Sequence, residues 1–422
     1  MGYLHLGPPK HGVCRYGMLL AEEAKTRSDL EVMEERIILG DDYGKNRRML
    51  ANAGKRLSAA DVVHIQYTRY PDLVWGKGFD HVRNMLVFMM HCRTLVVTTL
   101  HDVYLNEYFT PGMVLGFYAK YFKGMLSGIF NGRRRETSLR ELYLKARPSL
   151  GYLLATKMIS FKSSLVLVCS REERKRIKSF VKIRKIRVIN HFVEKRDPHT
   201  KSDAEKAKKK LGLEGHRVIT LLGFLWGSKG HRMVVESIPL LPEDVTVVFA
   251  GGPGLKQEET EDIVWMLTLL ARRLRVSSRL RITGYLPDDK LEEYIIATDL
   301  AVCPFINMAS SGSLSTWISY ARPILASRLP QMREYNAMEP GSIRFFEPYN
   351  SRGFAIAVDR ELETCSLKDD ARVAGLRSRM IIPVAFDKHL ECFKRIIKQN
   401  NSKENLRDTD GLRHKTLDRT PA

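Results

Sequence analysis

The chain has 422 residues, 44% of them apolar and 28% charged, which is enough to bury two domain cores and excludes a disordered scaffold. Its formal charge of +21 suits polyanionic partners such as nucleotide phosphates, anionic lipid surfaces or nucleic acid, without choosing among them. The six cysteines (Cys14, Cys92, Cys169, Cys303, Cys365 and Cys392) are scattered, with no Cys-x-x-Cys spacing, so a zinc site or disulfide framework is not expected and a reduced, cytoplasmic protein is.

The chain opens on a strand-like run, Gly2 to Leu6, with no signal-peptide pattern. A first series of short apolar runs follows: Asp61 to Gln66, Thr94 to Leu100, Leu165 to Cys169 and Arg187 to Asn190. Continuous apolar strands separated by helical segments predict a parallel sheet covered on both faces. Val193 to Gly215 is charged and poor in apolar residues, with Lys206 and Lys208 to Lys210, and reads as a linker. The alternation then restarts, with strands expected at 218–222, 245–250, 280–283, 300–303, 323–326 and 343–346.

The fold class is therefore α/β, with two doubly wound, Rossmann-like domains facing across a cleft at the carboxyl ends of their strands. The expected division is 1–194, joined by a returning C-terminal helix at 376–398, then 195–375, then a disordered tail at 399–422.

Basic residues are concentrated. From Met113 to Leu150 eight Lys or Arg face two Glu, and from Arg171 to Arg217 seventeen face seven acidic residues. In 113–150 the basic residues interleave with Phe117, Tyr118, Tyr121, Phe122 and Phe130. That pattern fits either a helical insertion or a segment lying on an anionic membrane surface. Lys120, Lys123 and three glycines interrupt its apolar stretch, so a membrane-spanning helix is not expected.

Four segments carry chemistry. His11-Gly12 stands at the first strand-to-helix turn, with Lys10 and Arg15 nearby, and Thr99-Leu-His-Asp102 ends a later strand. A histidine there, followed by an acid, projects toward the ligand edge of a doubly wound sheet. Lys229 sits between Gly223 and Gly230, in a loop from a buried strand to a helix. A cation in the first turn of a helix opposes the helix dipole and calls for an anion, phosphate above all. Ser311-Gly-Ser-Leu314 opens another helix, where backbone N–H groups and two hydroxyls can cradle a phosphate or simply cap the helix.

With Ile282-Thr-Gly-Tyr-Leu-Pro287 and Arg322-Pro-Ile-Leu-Ala326, this arrangement resembles the retaining glycosyltransferases of family 4, which have the GT-B fold, over roughly residues 2 to 398. The resemblance implies transfer of a sugar, with retention, from a nucleotide-diphosphate sugar to an acceptor hydroxyl. It implies no metal, no cofactor beyond the donor substrate, and a carbohydrate or lipid-linked acceptor, with cell-surface glycan or glycolipid synthesis as a setting. By the same resemblance His101 lies beside the transferred sugar. Lys229, Gly12 and Ser311, Gly312, Ser313 and Leu314 bind the diphosphate, and Tyr285 and Thr316 serve the base and ribose.

Tyr285 fits equally as a packing aromatic or a base platform. The family's two glutamates fall at Met308 and Thr316, and an arginine it often carries falls at Phe224. Those departures leave a second reading open, a catalytically impaired GT-B-like binding or regulatory protein. A nucleic-acid binder is not expected, for want of any such module. The place expected of the protein is cytoplasmic, with peripheral attachment to the cytoplasmic membrane face.

Overall fold

The computed structural model describes residues 1–9, 11–68, 74–78, 80–101, 103, 152, 154–178, 181–225, 227–252, 257–307, 311–364 and 369–417. The basic segment 113–150, and with it the membrane-surface reading, lies outside the described residues, as do Lys10, Asp102, Met308 and Cys365. The chain divides into two units, Met1–Asn190 with Ala385–Ala422, and His191–Val384.

In the first unit six parallel strands, β1 (Gly2–Leu6), β2 (Met33–Ile37), β3 (Val62–Thr68), β4 (Leu95–His101), β5 (Leu165–Val168) and β6 (Ile186–Val188), lie in the order β2-β1-β3-β4-β5-β6. Alternation along β3 assigns its faces. Val63, Ile65 and Tyr67 join the apolar core under the helices Tyr43–Leu57 and Asp80–His91, while Val62 packs on the opposite face with Phe393 and Ile396 of the helix Ile382–Leu417. The polar members of that second face, His64, Gln66 and Thr68, are all buried.

Strand β2, Met33-Glu-Glu-Arg-Ile37, was not foreseen. It is a charged edge strand, stabilised by Glu34 bonded to His5 Nε2 at 2.9 Å and by Glu35 paired with Arg56, so it lacks the apolar run that marks a buried strand.

The second unit carries β7 (Arg217–Leu222), β8 (Val245–Ala250), β9 (Leu280–Ile282), β10 (Leu300–Cys303), β11 (Ile324–Ala326) and β12 (Arg344–Phe345), all parallel, in the order β12-β11-β10-β7-β8-β9. The stretch expected as a linker is instead part of this unit. Thr200 and Asp203 close a capping box on the helix Lys201–Leu211, and Gly212, at φ 63°, ends it. Lys208, in the middle of the lysine run, is buried: its Nζ donates to Asp299 at 2.6 Å and to the His216 carbonyl at 2.8 Å. Asp299 also accepts the Val218 N–H at 2.6 Å, so this pair ties the helix to the start of β7.

Two boundaries differ from expectation near the C-terminus. Residues 376–384 belong with the second unit, because Val373, Leu376 and Met380 on the helix Ala371–Met380 fill its core and the Val193 N–H donates to the Met380 carbonyl. The tail expected to be disordered is helical as far as Leu417. Propagation from a packed stem avoids the cost of nucleation, and the polar residues after Asn400 include good helix formers. Among the described residues no helix is long and apolar enough to cross a membrane.

Candidate functional site

Chemistry-bearing residues gather at the carboxyl ends of the strands in each unit. In the second unit β7 is followed by Gly223, which has φ 102°, and the chain passes through the short turn Gly227–Lys229 to Gly230, N-cap of the helix His231–Ser237. Gly230 has φ 81°, and a Cβ there would stand 2.2 Å from the Pro304 carbonyl oxygen. Only glycine fits that approach. The Ile306 N–H donates to the Ser228 carbonyl at 2.8 Å, and the Tyr349 hydroxyl donates to the Pro304 carbonyl at 2.6 Å. The loops after β7 and β10 are thereby strapped together, which fixes the side chain between them.

That side chain is Lys229. Its Nζ donates to the Leu222 carbonyl at 3.0 Å, lies 3.4 Å from Ser313 Oγ, and stands 5.6 Å from the centre of the Phe305 ring. Among the described residues no carboxylate pairs with it. Burial pushes its ammonium down to about 8. A largely buried cation whose partners among the described residues are a carbonyl, a hydroxyl and a ring is electrostatically incomplete, and a phosphate oxygen would complete it.

Beside it begins the helix Gly312–Ser319. Ser311 is its N-cap: Oγ accepts the Leu314 N–H at 3.2 Å and lies 3.0 Å from Ser313 Oγ. The Leu314 amide expected on the diphosphate is therefore already engaged by the cap, as is part of the Ser311 hydroxyl. Gly312 and Ser313 are the first-turn residues whose N–H groups have no intrahelical acceptor, and Ser313 also offers its hydroxyl. Thr316, placed by resemblance on the ribose, donates its hydroxyl proton to the Gly312 carbonyl at 2.9 Å and so has only lone pairs to offer a ligand. Met308, the other position where the family carries glutamate, lies outside the described residues.

Tyr285 follows β9 and is 76% exposed, so it is not a packing aromatic. Its backbone is pressed against the next loop, since a Cβ on Gly252 would meet the Tyr285 nitrogen at 2.6 Å and one on Gly251 would meet the Gly223 carbonyl oxygen at 2.3 Å. Gly223, Gly251, Gly252 and Gly284 thus form a rim of close backbone at the ends of β7, β8 and β9. Sequence reasoning passed over Gly251 and Gly252, although two glycines directly after an apolar strand are the signal for such an approach. It also missed Phe305.

In the first unit Gly12 begins the helix Gly12–Lys25 with nothing within 4 Å of where a Cβ would sit. It is not there to pack helix on strand. Gly17 does that, because its Cβ would lie 3.1 Å from His5 Nδ1 and 3.3 Å from Gln66 Cγ. His101 is the last residue of β4 and is buried; its Nε2 is 2.9 Å from Gln66 Oε1, and its ring meets Tyr16 edge-on at 4.8 Å. Asp102, paired with it in the sequence reading, lies outside the described residues.

Two parallel, doubly wound six-stranded sheets with ligand-type features at their carboxyl ends define a protein of the GT-B class. Residues 216–364 match the family model described as glycosyl transferases group 1, a span that holds Lys229, Tyr285 and the helix Gly312–Ser319. Comparison with curated protein sequences finds no match. Among solved structures, the chain is similar to HepE of Anabaena in complex with UDP-glucose (TM-score 0.63, 14% identity, covering 93% of this chain and 99% of that one). It is also similar to a glycosyltransferase from Rickettsia africae (TM-score 0.62, 15% identity, 94% and 98% covered). A third is sucrose-phosphate synthase from Thermosynechococcus elongatus (TM-score 0.57, 14% identity, 97% and 99% covered).

Proposed function

We propose that the protein is a retaining glycosyltransferase that moves a sugar, a hexose in the first instance, from a nucleotide-diphosphate sugar to an acceptor hydroxyl. The observation that carries this reading is Lys229: a largely buried ammonium with no carboxylate partner among the described residues, set beside the N-terminus of the helix Gly312–Ser319. It lies within the segment that matches the group 1 glycosyl transferases.

Departure of the sugar leaves negative charge on the diphosphate. A preorganised cation and helix N–H groups at that position stabilise the charge as it develops, and removing one such contact costs about 10²-fold in rate. The amides of Gly312 and Ser313, the Ser313 hydroxyl and the Lys229 ammonium are the groups this chain offers. Gly12 is a further candidate for close approach to the diphosphate, His101 for a place beside the sugar, and Tyr285 for stacking on the base. The HepE neighbour was solved with UDP-glucose, which makes a uridine-diphosphate hexose the first donor to assay. Acceptors to try are carbohydrate and lipid-linked, since the net charge of +21 supports work at an anionic membrane surface.

The test is Lys229→Ala, with donor hydrolysis and sugar transfer both measured. Turnover close to wild type by a folded variant overturns the assignment. A second reading, a GT-B-like protein that binds sugar nucleotides without transferring them, is favoured by one observation: the Thr316 hydroxyl that stands at a glutamate position bonds back to Gly312. Stabilisation of the wild type by UDP-glucose with no donor consumption would select it.

A further inference from the structure

We infer that Gln66 is a positioning residue that fixes the tautomer and orientation of His101, an inference that rests on the reading of His101 as a group beside the transferred sugar. Parallel register sets Gln66 on β3 opposite Thr99 on β4, and His101 opposite Thr68. On this face of the sheet the side chains of His64, Gln66, Thr99 and His101 form a continuous buried polar series. The Thr99 hydroxyl is 2.7 Å from His64 Nε2, the Gln66 amide nitrogen is 3.2 Å from that same nitrogen, and Gln66 Oε1 is 2.9 Å from His101 Nε2.

A carbonyl oxygen only accepts, so Nε2 of His101 carries the proton, and whenever the ring is neutral Nδ1 is the nitrogen without one. The alternative tautomer would set two acceptors against each other at 2.9 Å.

Gln66 has little freedom to turn away. Gly17 of the helix Gly12–Lys25 closes over its Cγ so tightly that a Cβ would come within 3.3 Å. Its own backbone carbonyl is held by the Trp75 indole N–H at 2.8 Å, and the carbonyl of Trp75 by Asn84 at 2.8 Å. His389 from the C-terminal helix lies over His64, ring centres 5.5 Å apart, and Phe393 meets His64 at 5.4 Å. The opposite face of β3 carries Val63, Ile65 and Tyr67, all within the apolar core. A buried polar series is expensive wherever apolar side chains would fit, and it persists where every member directs the next. The series reaches His101 on the strand terminus, where ligands of doubly wound sheets bind.

The experiment compares Gln66→Leu, Gln66→Glu and His101→Ala with wild type. Gln66→Leu is expected to lower kcat about tenfold or more while leaving KM for the donor near wild type, since proton placement and not binding is lost. Gln66→Glu keeps the shape and sets a carboxylate against His101, so the acidic limb of the kcat profile moves to higher pH. Nitrogen NMR of the free protein reads the tautomer without activity, with Nε2–H in wild type and a mixture in Gln66→Leu. If Gln66→Leu keeps both the Nε2–H signal and wild-type kcat, the inference falls. If His101→Ala alone has no effect on kcat, the reading of His101 falls instead. Should Gln66→Leu not fold, the pH profile and NMR signal of Gln66→Glu decide the matter, an unmoved acidic limb counting against it.

Discussion

Lys229 and Ser313, 84 residues apart in sequence, meet at 3.4 Å between ammonium and hydroxyl, with the start of the helix Gly312–Ser319 beside them. The ammonium is desolvated and pushed down to about 8, which is a stability statement as well as a functional one. Between pH 8 and the ordinary lysine value the unfolded chain binds a proton that the folded chain lacks, so this group's contribution to stability rises with pH through that window and is most unfavourable below it. At pH 7 the burden is on the order of 3 kcal/mol. Lys229→Met should therefore melt at the same temperature as wild type or higher at pH 7, while losing activity. A clear drop in melting temperature would show a lysine kept for structure.

The same shift gives donor binding a sign. A diphosphate beside Lys229 raises its affinity for the proton, so binding takes up a proton above pH 8, and affinity for UDP falls as pH rises through that value. Calorimetric titration of UDP in two buffers of different ionisation enthalpy measures the uptake. Equal heats in both at pH 8.5, roughly half a unit above the free value, would remove Lys229 from the anion site.

Most strands were legible because parallel sheets covered on both faces need apolar runs, and Leu165-Val-Leu-Val168 or Val245-Thr-Val-Val-Phe-Ala250 can be little else. Strand β2 was not, because an edge strand needs no such run. His101 and Lys229 were singled out as candidates by their place at or just beyond the ends of apolar strands. Gln66 was not, because a glutamine within a strand announces a partner only when the register sets it beside β4. Lys208 looked like one lysine among three, and only the fold reveals that it faces Asp299.

Tyr285 and Phe305 should separate by readout. Tyr285 is 76% exposed whereas Phe305 is buried beside Lys229. Tyr285→Ala is expected to raise KM for the donor several-fold, by the roughly 1 kcal/mol of a stacking contact, with melting unchanged. Phe305→Ala should cost about 3 kcal/mol or more of stability, as removal of a buried ring does. An unaltered donor KM for Tyr285→Ala would withdraw it from the base site.

The two glycines of the first helix make a sharper pair. Gly12→Ala meets no atom within 4 Å and improves helix propensity, so the protein should keep its stability or gain up to about 1 kcal/mol. Gly17→Ala presses on His5 and Gln66 and should destabilise by about 1–3 kcal/mol. If Gly12 admits a ligand to the helix N-terminus, Gly12→Ala weakens donor use without weakening the fold. Loss of stability in Gly12→Ala, measured by denaturant titration, would return Gly12 to a packing role.

The lysine run tests burial against composition. Lys208 and Lys209 are adjacent and identical in type, yet Lys208 is buried and donates to Asp299 while Lys209 is exposed. Removing one partner of a buried pair leaves the other charge uncompensated, at a cost of about 3–5 kcal/mol. Lys208→Ala also releases the carbonyl of His216 and loosens the carboxylate that holds the Val218 N–H at the start of β7. Lys209→Ala, on the solvent side of the same helix, should change stability by no more than about 0.5 kcal/mol. Denaturant titrations of both variants would settle the placement, equal small effects showing that the helix Lys201–Leu211 is not anchored through Asp299. The double variant Lys208→Met with Asp299→Leu should recover much of the loss, because what destabilises the single variant is the stranded carboxylate and not the missing attraction.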